Sequence, residues 1–110
     1  MGYQEIIRQV FEDVRDVVGA ALLHKNGFVV AYIGLEKETW VYLTDVLKNV
    51  LKVAEFLESD LYGVDVMLEN YKVTIRKREN LIATVVTTPD TDNHISDYVA
   101  FRLLEEALKL

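Results

Sequence analysis

The sequence contains no cysteine. Disulfides, thiolate metal sites and cysteine nucleophiles are excluded together. It has a single proline, Pro89, and five glycines, so turns must be made at a few Gly-, Asn- and Asp-bearing places. No apolar run approaches the ~20 residues of a bilayer-spanning helix, and membrane insertion is not expected. The segment from Met1 to Gln9 lacks a basic stretch followed by an unbroken apolar one, so no secretory leader is expected. Gly2 follows Met1, but Ile6 stands where N-myristoylation wants Ser or Thr. Positive charge is also scarce: 12 Lys and Arg face 18 Asp and Glu, a formal net charge of −6. Such a chain repels phosphate backbones on average, and nucleic acid is not an expected partner. Neither GxGxxG nor GxxxxGK[ST] occurs, so neither nucleotide loop is available and no cofactor is expected.

What is present is an ordinary globular composition, 51% apolar and 27% charged over 110 residues. That length suits one domain, residues 1–110, with a single core and no deep cleft. A cytoplasmic protein is the expectation. Ile6, Ile7, Val10, Phe11 and Val14 recur at 3- and 4-residue spacing, which predicts an amphipathic helix over residues 3–16. The stretch VVGAALLHKNGFVVAYIG, Val17 to Gly34, predicts two strands, 17–24 and 28–33, joined at Asn26-Gly27. That pair can occupy the two positive-φ positions of a type I′ turn. Both strands are apolar on both faces, whereas a hairpin wetted on one side alternates. Helices covering both sides of the sheet account for this.

Thr39 can cap a long helix running to about Ser59. Val64, Val66 and Leu68 then alternate with Asp65, Met67 and Glu69. A two-residue turn at Asn70-Tyr71 sets Glu69 opposite Lys72 and Asp65 opposite Arg76. The same register pairs Leu68 with Val73 and Val66 with Ile75 on the other face. A turn of either length near Arg78-Glu79-Asn80 leads into a strand from Leu81 to Thr87. Past Pro89, Asp92 or Asn93 can cap a last helix carrying Ile95, Tyr98, Val99, Leu103 and Leu104 at helical spacing. The order α-β-β-α-β-β-β-α predicts an α+β fold, a five-stranded antiparallel sheet with helices on both faces.

The second helix has more apolar surface than one groove needs. Leu43, Leu47, Val50, Ala54 and Leu57 form a core-facing stripe. Beside it Tyr42, Val46, Asn49, Val53 and Phe56 alternate four and three apart, the rhythm of helix against helix. A two-fold antiparallel pair would set Asn49 against itself and Tyr42 against Phe56 of the second copy. Each such side chain, fully buried, contributes roughly 1.5–3 kcal/mol, so a few decide association. A homodimer seam is the expectation. The competing reading is a helix sunk in a wide groove of its own chain.

Chemistry is sparse. His24 and His94 are the only histidines, at a strand end and a helix start. DTDNHISD, Asp90 to Asp97, hints at a metal loop, but an EF-hand would require Gly at Ile95 and Glu at Phe101. Helix capping explains those acids, and no metal is expected. Lys72, Arg76, Lys77 and Arg78 read as the solvated face of a sheet. Enzymatic activity is not expected.

The element order, with DVVGAALLHKNGFVVAYIG between the first two helices, resembles the roadblock/dynein light chain domain family over nearly the whole chain. Val18-Gly19-Ala20, the Asn26-Gly27 turn and the run from Leu47 to Leu57 carry the match. The family's common Asp-Gly turn is replaced here by Asn-Gly, a pair equally tolerant of left-handed backbone. The resemblance implies dimers joined through second helices and an edge strand, here Phe28 to Ile33 with Phe28, Val30 and Tyr32. It also implies a regulator or scaffold of a Ras-like small GTPase; nothing in the chain points to dynein attachment. Arg15, Arg76 and Arg78 are conceivable arginine fingers, with no ground for choosing one. The alternative function is a small-molecule sensor, which would require an enclosed apolar cavity between sheet and helices.

Overall fold

A computed structural model describes residues 2–110. The elements are α1 (Tyr3–Asp13), β1 (Val17–His24), β2 (Phe28–Ile33), α2 (Lys37–Phe56), β3 (Gly63–Met67), β4 (Lys72–Arg78), β5 (Leu81–Thr87) and α3 (Asn93–Leu108). The five strands form one antiparallel sheet in the order β2-β1-β5-β4-β3. β1 and β5 lie inside it, and their residues are almost all buried. That is why the opening hairpin is apolar on both sides: each face of the sheet has its own core. On one face α1 and α3 pack Ile6, Ile7, Val10, Val99, Leu103 and Leu104 against Ala20, Leu22, Ala83 and Val85. On the other, α2 brings Trp40 and Leu47 onto Ala21, Leu23, Val73, Ile75, Ile82 and Val86.

Several local expectations need correction. The first hairpin closes through a three-residue loop, because His24 pairs with Phe28. Only Gly27 takes positive φ there, at 99°, and its N–H bonds the His24 carbonyl at 2.8 Å. A glycine at the left-handed position after an ordinary turn replaces the type I′ turn. The cap of α2 is Glu36, with no side-chain cap bond, so the helix starts two residues before Thr39. Asp92 caps α3, accepting from the His94 N–H.

The β3–β4 pairing is offset by two residues from the expected register. Asp65 lies opposite Thr74 and Val66 opposite Val73, and a four-residue connection replaces the two-residue turn, with the Leu68 N–H bonded to the Tyr71 carbonyl. Side chains alternate with period two, so a two-residue shift leaves every one on the same face. Asp65 still meets Arg76, diagonally, at 2.9 Å. The β4–β5 turn is the short one, Glu79-Asn80, with Glu79 at φ 55°.

Of the basic patch on β4, Arg78 is exposed and Lys77 half-buried, but Lys72 and Arg76 do not lie on a solvated face. Lys72 is 2% exposed, its ammonium bonded to the Thr91 carbonyl at 2.6 Å and Asn93 Oδ1 at 2.8 Å. Arg76 bridges Asp65 on β3 and Asp97 on α3. These side chains point under the start of α3, which covers them.

Candidate functional site

α2 is a 20-residue helix of which Trp40, Thr44 and Leu47 alone are buried. Leu43, Val50, Leu51 and Ala54 are half-buried beside them. The inner face is therefore centred on Trp40-Thr44-Leu47, rotated from the stripe expected through Leu57. Leu57 is 72% exposed because the helix ends before it. Trp40 and Thr44, spaced four apart and followed three later by Leu47, are the helical signal of this inner face in the sequence.

The outer face carries the second stripe. Tyr42 is 72% exposed, Val46 53%, Val53 56% and Phe56 88%, with Asn49 exposed among them. The alternative of a helix sunk in its own chain's groove is thereby removed for these residues. The chain's own fold leaves them uncovered, and Val41 adds to the same side at 43%. A shallow dent of about 220 Å3 between Lys37, Glu38, Val41 and Tyr42 lies at the start of the stripe.

The β2 residues are in a different situation. β2 is an edge strand, but its edge is not bare. Val30 sits in a bulge, since Leu22 pairs with Ala31 and Leu23 with Val29. The backbone N–H and C=O of Tyr32 are both bonded by the side-chain amide of Gln4. Phe28 stacks on His24 with ring centroids 4.6 Å apart and planes 6° from parallel. Bulges and side-chain covers are ordinary means of keeping a sheet edge from pairing with another chain.

Among the described residues, no group of three or more His, Cys, Asp or Glu is placed to hold a metal ion. His24 Nδ1 accepts the Asn26 N–H at 3.1 Å, a bond that ties the hairpin loop. Of the three arginines considered as fingers, Arg76 is held by two carboxylates at 2.8–2.9 Å. Burial works against its charge, but the hydrogen bonds and charges of Asp65 and Asp97 outweigh that and raise its pKa above the ordinary arginine value. The Arg78 guanidinium lies over the Phe101 ring, 5.8 Å from its centroid. Arg15 is exposed between α1 and β1. No described helix is long and apolar enough to cross a membrane.

A helix-flanked antiparallel sheet in this order, with α2 alone on one face, is the Roadblock/LC7 fold. The Roadblock/LC7 domain from Streptomyces avermitilis superposes with a TM-score of 0.83 over 99% of this chain and 97% of its own, at 15% identity. Myxococcus xanthus MglB gives 0.82 over 97% and 85%, at 10% identity. Acanthamoeba castellanii profilin II is more distant, at 0.69 over 98% of each chain and 13% identity. No protein-family model and no curated protein matches the sequence.

Proposed function

We propose that this protein is a homodimeric, non-enzymatic adaptor or regulator of a Ras-like small GTPase. The observation that carries the reading is the exposed stripe on α2. Tyr42, Val46, Val53 and Phe56 lie along one line of a helix whose opposite face already fills the core. An apolar line of this kind on a soluble surface marks a protein contact. Its four-and-three spacing suits a second helix, and a two-fold axis at Asn49 makes the second copy the simplest partner. MglB, which shares the fold, has a structure described with a tetrameric arrangement, which supports self-association here. The GTPase comes from the family resemblance, supported by the fold shared with Roadblock/LC7 domains and MglB.

A third chain would have to bind on surfaces outside the Tyr42–Phe56 stripe. No residue is assigned to turnover chemistry; a partner would be scaffolded or its nucleotide exchange and hydrolysis modulated through contact. The test combines two measurements on the purified protein. Light scattering gives the mass in solution, with a dimer expected. Binding and GTP-turnover assays with the small GTPases of the source organism follow. A dimer that engages none of them would sink the GTPase assignment, and a monomer would sink the seam. A cytoplasmic location goes with this role.

A further inference from the structure

A concavity of about 460 Å3 opens on another flank of α2, between that helix, the β1–β2 loop and the end of β4. Four lysines from three places in the chain converge on it: Lys25 in the loop, Lys48 and Lys52 on α2, and Lys77 on β4. We propose that this pocket binds a small phosphate-bearing anion of about mononucleotide size. The proposal is independent of the α2 seam and of any GTPase. At 100° per residue, Lys48 and Lys52 stand about 120° and 80° around the helix from the middle of the Tyr42–Phe56 stripe.

Charge is the first argument. Four of the chain's 12 Lys and Arg line this one hollow, yet only Glu55 and Asp60 of its 18 Asp and Glu do. The rest of the molecule is strongly acidic, so an anion is steered to this place and repelled elsewhere. Pairing is the second. Among the described residues, Lys25, Lys52 and Lys77 have no carboxylate within 4.0 Å, and Lys48 has only Asp45 at 3.9 Å. The hollow thus gathers ammonium groups that the fold leaves uncompensated.

Backbone geometry is the third. The Lys48 side chain lies across Gly27, and a Cβ there would collide with its Cε and come within 2.7 Å of its Nζ. An α2 lysine thus reaches the tip of the first hairpin. Lining chemistry selects the ligand class. The cationic lining is all lysine, compact point charges that pair with phosphate oxygens, and an acidic peptide probe separates phosphate from carboxylate. Leu51, Ala54 and Leu61 supply an apolar part, where a ring can lie. The volume falls in the range of small-molecule sites.

Calorimetric titration of the full chain at about 0.15 M ionic strength tests this with three probes: inorganic pyrophosphate, ATP and a hexa-aspartate peptide. Saturable binding of pyrophosphate or ATP is expected, one per chain. Lys48→Gln with Lys52→Gln should weaken it roughly tenfold or more, and Lys77→Gln alone should weaken it measurably, because each removes a charged hydrogen bond. Lys109→Gln, outside the pocket, should change nothing. The exposed loop variant Lys25→Gln asks the same question should the double variant fail to fold. Absence of saturable binding overturns the proposal, as does binding indifferent to these lysines. So does binding of the peptide alone, which would make the pocket a protein-docking site.

Discussion

The side-chain amide of Gln4 in α1 completes the edge of the sheet at Tyr32 in β2. Its Nε2 donates to the Tyr32 carbonyl at 2.7 Å and its Oε1 accepts from the Tyr32 N–H at 3.4 Å. A glutamine amide has the same donor and acceptor as a peptide unit, so it stands in for one residue of a missing strand. Together with the bulge at Val30 it blunts the edge that a second copy would otherwise use. Of the two contacts implied for a dimer, α2 is open and β2 is partly closed.

Replacing Gln4 by Ala should therefore cost about 1 kcal/mol, and hydrogen exchange at the Tyr32 amide should accelerate. Protection of Tyr32 that survives Gln4→Ala would show another chain covering that edge. The experiment thus separates a dimer through α2 alone from one that also joins the sheets.

On α2, Val53→Asp and Phe56→Asp change residues that are 56% and 88% exposed. Within one chain these substitutions should move stability by no more than about 0.5 kcal/mol. In a seam they place a carboxylate in an apolar contact, which is too costly to keep. The expected result is a folded monomer by light scattering, with an unchanged circular dichroism spectrum. Unchanged dimer mass in both variants would refute the seam.

Arg76 joins β4, β3 and α3 through Asp65 and Asp97. Both acids are partly exposed, so solvent screens the pairs and each is worth less than a buried one. Arg76→Ala should cost about 1–2 kcal/mol, read as a drop of roughly 4–8 °C in Tm per kcal/mol. Asp97→Asn should cost less, since Asp65 still holds the guanidinium.

Gly34 has φ 67°, and a Cβ there would collide with the Val18 carbonyl and come within 2.9 Å of Gly19 Cα. Both obstacles are backbone and cannot swing aside. Gly34→Ala should lower stability by at least about 2 kcal/mol, combining left-handed strain with overpacking. Gly19→Ala should be milder: its nearest neighbours include the Leu35 and Trp40 side chains at 3.1 Å, which can shift slightly. Chemical denaturation followed by the emission of the lone tryptophan, buried Trp40, ranks the two.

Much of the fold was legible in local patterns. The hairpin strands 17–24 and 28–33 coincide with β1 and β2, because two-sided apolarity and a Gly-bearing turn are written in adjacent residues. The outer stripe of α2 was equally readable, since 3.6-residue periodicity needs no knowledge of the rest of the chain. The β3–β4 register was not. Alternation is identical in the expected and observed pairings, and only the geometry of the 68–71 connection distinguishes them. Ile95 and Tyr98 share the helical spacing of Val99, Leu103 and Leu104 but are exposed at 38% and 56%. Val99, Leu103 and Leu104 do turn inward, joined by Ser96, Ala100 and Ala107, small residues that allow close approach to the sheet. Lys72 read as solvated because nothing local announces that the start of α3 will cover it.

By itself, the sequence determined which elements form, that the central strands are covered on both faces, and that α2 has apolar surface to spare. Each follows from the spacing of side chains along one segment, where backbone periodicity sets direction. Tertiary structure alone decided that Gln4 closes the edge at Tyr32, that Asp97 on α3 joins Asp65 at Arg76, and that Lys25, Lys48, Lys52 and Lys77 share a hollow. Those pairings join residues far apart in the chain, and their distances are fixed only when helices settle on the sheet.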